Sequence, residues 1–405
     1  MAQTSGSDAA ADAARLLERL SFVVLALGGS IAEALSPRAI FVFFPIGIAL
    51  ILVAAILDTR TTVLSRLSDA ALSPLGLAGL ALSGWAVLSL AWSPFTLDGG
   101  EHLFKLIGTA LLAVLAIACA RQHMRATDLY LFPIGVGLTM LAIVALGIAT
   151  FVNAPVEPGR IGKLGIVLAV LVWPAMAGLA ARGRNGTARL VLILSLAFTF
   201  AIGAHFVATA LLVGVLALSF SISDVKRTAF DFGLVAVVII LLTPLAPAVA
   251  PALSRWIFHA KLTSLPEPFP PLAAAADILL SEPWRLLTGH GVEAAVRGGE
   301  AGLLPARAPR TALFEIWYEL GVIGAALSAG LIWLGFRRSA LLGEMVAPYV
   351  IAAIACDLTL GVLVLDFSQM WWATLLAVSA ISASAAVHSQ YRTARPLAGP
   401  GRPAL

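Results

Sequence analysis

The chain has 405 residues, of which 60% are hydrophobic and only 12% charged, and its mean hydropathy is +0.97. Ordinary soluble domains carry about 25% charged residues, so composition excludes one and places the chain among polytopic membrane proteins. A net charge of +4 spread over many loops gives no support to nucleic-acid binding, and two cysteines, Cys119 and Cys356, both in apolar runs, exclude a disulfide framework and a Cys/His metal site.

From the N-terminus, MAQTSGSDAAADAARLLERL carries acidic residues and no cleavage site behind a short apolar core, which predicts a cytosolic leader helix and not a signal peptide. A membrane-crossing helix needs roughly 20 apolar residues, because lipid offers no partner to exposed backbone groups. Such runs predict about twelve spans, at 20–36, 38–57, 72–92, 102–120, 129–152, 163–181, 188–204, 206–223, 230–250, 312–336, 345–365 and 369–389. The organisation expected is an N-terminal bundle over 1–250, one large polar loop over 251–311, three further spans over 312–390 and a Pro- and Gly-containing disordered tail over 391–405.

Orientation follows from Lys and Arg, which resist translocation in short loops. Arg15 and Arg19, Arg60 and Arg66, Arg121 and Arg125, Arg182, Arg184 and Arg189, Lys226 and Arg227, Arg337 and Arg338, and Arg392, Arg395 and Arg402 fall on alternate loops. Those loops and both termini are expected in the cytoplasm, where their charge also attracts anionic headgroups of the membrane lipids. Glu33, the turn from Asp98 to Glu101, the loop from Val156 to Lys163, the large loop and the turn from Asp366 to Gln369 then face outward, into the periplasm of a Gram-negative cell.

Arg160 and Lys163 are unusual on a translocated short loop, in VEPGRIGKLG. A guanidinium binds phosphate bidentately, so a phosphate-bearing lipid is one reading, and an arginine snorkelling to the interface is the other. In the large loop Arg255, Lys261, Arg285, Arg297, Arg307 and Arg310 are interspersed with Glu267, Asp277, Glu282, Glu293 and Glu300, the mixture of a folded polar domain. Residues 272–287 have helical apolar spacing with Trp284 near their end, which predicts an amphipathic helix on the bilayer. His290 stands between two glycines in TGHGVEAAVRGG, where a ligand can approach the backbone closely; a surface histidine without function is the alternative. Asp357 lies mid-span and is expected to hydrogen-bond a neighbouring helix. Trp92, Trp256, Trp284, Trp371 and Trp372 fall where an outer aromatic belt is expected.

Three segments, in order, carry a family resemblance. LSLAWSPFTLDGGEHLFKL, from Leu88, is similar to a W-S-P at an outer helix end; LLTGHGVEA, from Leu286, to a P-L-x-G-x-G turn; RTALFEIWYELGVIGAAL, from Arg310, to H-N-x-x-L-Q-x-x-x-E-L-G-x-x-G at the exit of the large loop. With twelve spans and the loop between the ninth and tenth, the chain resembles the superfamily of O-antigen ligases and O-antigen polymerases, bacterial envelope glycosyltransferases. The resemblance implies an all-α, GT-C-like membrane enzyme of the inner membrane that contributes to lipopolysaccharide or other polysaccharide synthesis. It implies metal-independent, inverting transfer of glycan from undecaprenyl pyrophosphate to a lipid A core or saccharide acceptor, with no cofactor. Polymerisation by a member of the same superfamily, or non-catalytic transport or flipping of lipid-linked glycan, are the alternatives.

The sequence departs from that pattern where the chemistry matters. Arg310 and Thr311 stand in place of the motif's His and Asn, Arg285 in place of the proline, and GAHFVATA around His205 in place of S-x-S-R. Arginine cannot take a proton from an acceptor hydroxyl. The expected cations at the pyrophosphate are therefore Arg160, Arg307 and Arg310, with Lys163 and Arg285 as further members, and the expected base is His290, with Glu319 and His205 in reserve.

Overall fold

A computed structural model of the chain describes residues 3–36, 38–57, 63–120, 128–153, 156–157, 159–245, 269–305 and 308–388. Arg255, Trp256, Lys261, Glu267, Arg307 and the expected disordered tail over 391–405 lie outside the described residues.

Every regular element among the described residues is helical. Helix α1 (Gln3–Val23) passes through a π-helical turn into α2 (Gly29–Leu35), followed by α3 (Ile40–Leu57), α4 (Val63–Leu72), α5 (Pro74–Ser89), α6 (Thr96–Cys119), α7 (Leu131–Phe151) and α8 (Arg160–Ala181). Then come α9 (Asn185–Ala201), α10 (His205–Ser223) and α11 (Val225–Leu242). The large loop contributes α12 (Phe269–Ser281), α13 (Arg285–Thr288) and α14 (Ala294–Glu300), and the chain ends in α15 (Ala312–Ser339), α16 (Ala347–Leu363) and α17 (Met370–Val387).

Eight of these helices, α3, α6, α7, α8, α10, α11, α15 and α17, are long and apolar enough to cross a bilayer, and α4 with α5 forms a ninth candidate bent by 71°. Helices α9 and α16 are apolar but shorter. The chain is a multi-pass α-helical membrane protein. Within the described residues, each of the twelve segments expected from hydropathy falls mainly on helix, the first of them over the end of α1, the π turn and α2; residues 246–250 of the ninth lie outside the described residues.

The core is built around α8, whose residues from Leu164 to Ala180 are all buried. A helix apolar on every side belongs inside a bundle, and α7, α9, α10, α16 and α17 surround this one. Trp173 is fully buried against Gly214; a Cβ there would stand 2.2 Å from the indole, so the glycine sets how close α8 and α10 come. The C-terminal helices do not form a separate body. Helix α15 packs on α5 and α11, α16 on α8 and α10, and α17 on α6 and α8, so the division expected near residue 250 interrupts the sequence but not the bundle.

Among the described residues, basic side chains of neighbouring loops meet partners at the same end of the bundle; Arg60, Arg121, Arg125, Arg392, Arg395 and Arg402 lie outside the described residues. At one end Arg19 pairs with buried Asp128 at 2.9 Å, Arg66 donates to the Ala118 carbonyl at 3.2 Å and Arg182 lies over the Tyr130 ring. At the other, Lys163 meets Glu33 and Arg297 meets Asp98.

Two local expectations are corrected. Helix α4 falls within a segment expected as loop; none of its residues is buried, so it leaves no hydropathy signal. The amphipathic helix expected over 272–287 ends at Ser281, because Pro283 lacks an N–H and disfavours helical backbone in the residue before it. Its Ala275, Ile278 and Leu279 are buried in a cluster with Leu313, Phe314 and Trp317 of α15, so this face packs on protein and not on lipid.

Candidate functional site

The site is organised by a break in α15. Thr311 caps the helix, its hydroxyl accepting from the Phe314 N–H at 3.3 Å, and the helix proceeds to Gly321, where φ 64° and ψ −162° interrupt it. That region of backbone space is essentially restricted to glycine. Three successive carbonyls at the break find donors from elsewhere in the chain: Tyr318 accepts from the His290 N–H at 2.8 Å and Glu319 from the Gly291 N–H at 2.9 Å, while Leu320 accepts from Trp85 Nε1 at 2.9 Å.

The turn from Thr288 to Gly291 fits against this break because its glycines have no side chains. A Cβ on Gly289 would stand 2.1 Å from the Glu319 carbonyl oxygen, and one on Gly291 would stand 2.6 Å from Ser93 Cα. Ser93 Oγ donates to the Val292 carbonyl at 2.7 Å. The three motif segments, around Trp92–Pro94, Leu286–Val292 and Tyr318–Gly321, thus form one packed unit.

Beneath that unit lies a cavity of about 180 Å³ between α5, α6, α14 and α15. Its lining includes apolar Leu82, Ala86, Leu106 and Ala110 and polar His102, Glu293, Glu315 and Glu319. His102 Nδ1 lies 3.3 Å from Glu293 Oε1, and Glu293 Oε2 lies 3.8 Å from Arg297 Nε. Arg297 also meets Glu300 at 2.9 Å and Asp98 at 3.6 Å. Glu319 accepts from the Ala295 N–H at 3.1 Å, in the first turn of α14, and Glu315 accepts from the Phe367 N–H at 2.5 Å.

Burial shapes the electrostatics. Desolvation pushes the Glu293 carboxyl above its ordinary value, with Arg297 opposing the rise and Asp98 adding to it. The Arg297 guanidinium is pushed further up by Glu300 and Asp98. Glu293 also holds φ 69°, a conformation that costs a non-glycine residue about 1–3 kcal/mol and that clusters at functional sites.

Of the residues expected at the site, Glu319 lines the cavity, and the His290 N–H donates to the carbonyl of Tyr318, the residue before Glu319. The His290 ring stacks on Tyr318 at 4.0 Å, with Nδ1 3.0 Å from the Tyr318 carbonyl and Nε2 3.3 Å from Glu282 Oε2. A carbonyl only accepts, so Nδ1 carries a proton. The glycines beside His290 make room for α15 and Ser93, which replaces the ligand-approach reason for singling it out.

None of the described cations expected at the site lines the cavity. Arg160 pairs with Glu157 at 3.3 Å and Lys163 with buried Glu33 at 3.5 Å. Arg285 and Arg310 are exposed, as is His205 at the start of α10.

No protein-family model matches this chain, and no curated protein does. The site therefore rests on its own geometry. Reading by sequence passed over His102, Glu293 as a site group, and Glu315. A signal existed for each: His102 follows the W-S-P segment, Glu293 ends two residues past the glycine turn, and Glu315 and Glu319 share a helix face by their i, i+4 spacing. Two other expectations are revised. Trp371 and Trp372 are buried in the bundle and not set in an interfacial belt, and Asp357 Oδ1 is buried without a hydrogen-bond partner among the described residues.

Proposed function

We propose that the chain is an O-antigen ligase-like glycosyltransferase of a bacterial inner membrane. In this reading the twelve helical segments are twelve crossings, both termini are cytoplasmic, and the loop over 251–311 works at the periplasmic face. Glycan passes from undecaprenyl pyrophosphate to a lipid A core or saccharide acceptor. The observation that carries the reading is the packing of the three motif segments into one unit beside a cavity lined by both carboxylates and apolar side chains. Segments that resemble one family in order, and that also assemble at one place, support a shared site more strongly than any of them alone.

The chemistry has matching parts. Carboxylates accept hydrogen bonds from sugar hydroxyls, which suits Glu315 and Glu319 to the acceptor. Displacing a lipid pyrophosphate requires positive charge at the leaving group. Arg285 and Arg310 are exposed for that role, and Arg160 has a buried Nε without an acceptor among the described residues.

The test is the glycan profile of a strain lacking the gene. Loss of capped lipopolysaccharide with accumulation of polyprenyl-linked polymer is expected of a ligase. Single repeats still attached but not extended would indicate a polymerase, and unchanged glycans with altered export of another solute would refute glycosyl transfer altogether.

A further inference from the structure

The glycosyl-transfer reading leaves one chemical gap, because Arg310 occupies the position at which the resembled motif has its histidine. Two other histidines lie near the packed motif unit, and the cavity distinguishes them. His290 is not among the residues lining it, and both its ring nitrogens lie beside acceptors, Tyr318 O and Glu282 Oε2. His102 lines it, within hydrogen-bonding reach of Glu293.

We infer that His102, oriented by Glu293, takes the proton from the acceptor hydroxyl; the inference rests on the glycosyl-transfer reading above. A Glu293 carboxylate 3.3 Å from Nδ1 holds the hydrogen there and leaves Nε2 with its lone pair. Glu293 is itself held, by its strained αL backbone at the head of α14 and by Arg297.

The step balances without any other reagent. The acceptor O–H bond breaks, its proton goes to His102, and the oxygen forms a bond to the anomeric carbon of the donor glycan. The bond from that carbon to the pyrophosphate oxygen breaks, and the electron pair leaves with undecaprenyl pyrophosphate. His102 then returns its proton to water. Glu293 is a positioning residue in this scheme.

The test uses the full chain in proteoliposomes, with donor lipid extracted from the gene-deleted strain and that strain's uncapped lipopolysaccharide as acceptor. His102→Gln keeps an amide that can reach Glu293 but cannot take the proton. It is expected to lower kcat by about a hundredfold or more, with the donor KM within a few-fold of wild type. The acidic limb of the wild-type pH profile should vanish in it. Glu293→Gln should move that limb to lower pH, and Glu293→Asp should restore it in part. The charged groups bearing on this profile are Asp98, Glu101 and Lys105 of α6, Glu293, Arg297 and Glu300 of the loop, Glu315 and Glu319 of α15, and Asp366. His290→Ala is expected to keep the limb.

Monodispersity in detergent reports whether each variant folds, and His102→Asn serves if the Gln variant does not. A folded Gln or Asn variant with near-wild-type kcat, or with an unchanged acidic limb, overturns the assignment to His102. Wild-type protein that transfers nothing, from a strain whose glycans are unchanged, overturns the glycosyl-transfer reading instead.

Discussion

The chain breaks two helices in opposite ways. Between α4 and α5 the bend of 71° is sealed within seven residues of sequence: Ser73 Oγ donates to the Ala70 carbonyl at 2.7 Å and accepts from the Gly76 N–H at 3.0 Å. At Gly321 the freed carbonyls are sealed from far away, by the His290 turn and by Trp85, which is 235 residues distant from Leu320. A break sealed by its own neighbours is a shape. A break sealed by remote segments is an assembly, and the cavity exists only where that assembly forms.

The largest expected effect follows from removing the assembled break. Gly321→Ala places a Cβ 2.6 Å from the Leu287 carbonyl oxygen and 2.7 Å from the Gly289 nitrogen, at φ 64°. Strain of about 1–3 kcal/mol is then added to a backbone clash, for a total loss of about 3 kcal/mol or more. Thermal unfolding in detergent should show a large drop in midpoint, together with loss of glycan transfer. A variant as stable as wild type would mean that α15 straightens freely and that its break is not held by the His290 turn.

The same contrast explains how much could be read in advance. Apolar runs are local, so the positions of all twelve helical segments were legible, and so was the sorting of Arg19, Arg66 and Arg182 to one end. Capping is also local, but α4 has no buried face and was invisible to a hydropathy criterion. The site was legible as three motifs and not as a geometry. Glycine beside His290 signalled close approach correctly, yet nothing in the sequence states that the approaching partner is α15. His102 reads as one of several polar residues in the first turns of its helix, with Asp98, Glu101 and Lys105, and only folding brings Glu293 beside it.

Next in size is the remote hydrogen bond at the break. Trp85→Phe keeps most of the aromatic packing but withdraws the donor to the Leu320 carbonyl. An unmet, part-buried carbonyl costs about 1–3 kcal/mol, and the unfolding midpoint should fall by less than in Gly321→Ala. Because the tryptophan ties α5 to α15 across the cavity, transfer activity should decline as well. If stability falls and activity does not, the bond holds the bundle together without shaping the cavity.

The local break supplies the control. Ser73→Ala removes an N-cap, at a cost of about 1 kcal/mol, on a helix pair whose first member buries no residue. Stability should drop slightly, while glycan transfer and the pH profile remain those of wild type. Loss of activity in this variant would show that the α4–α5 bend is coupled to the cavity after all, and the contrast between the two breaks would fail.

The smallest effect is marked by its pH dependence. Burial raises the Glu293 carboxyl above the ordinary value of 4.5, so in the interval above 4.5 the folded chain holds a proton that the unfolded chain releases. The sign follows by linkage: this contribution to stability is complete below the unfolded value and is lost as pH rises through the folded one. Glu293→Gln cannot titrate there, so the wild type should lose stability relative to the variant as pH is raised through that interval. Unfolding midpoints of the two proteins, measured at several pH values from about 4.5 to neutrality, would show their difference changing in that direction. A flat difference would mean that Arg297 and His102 fully offset the burial of the carboxylate. An opposite slope would mean that these partners outweigh it, so that Glu293 is charged through the whole range in the folded protein.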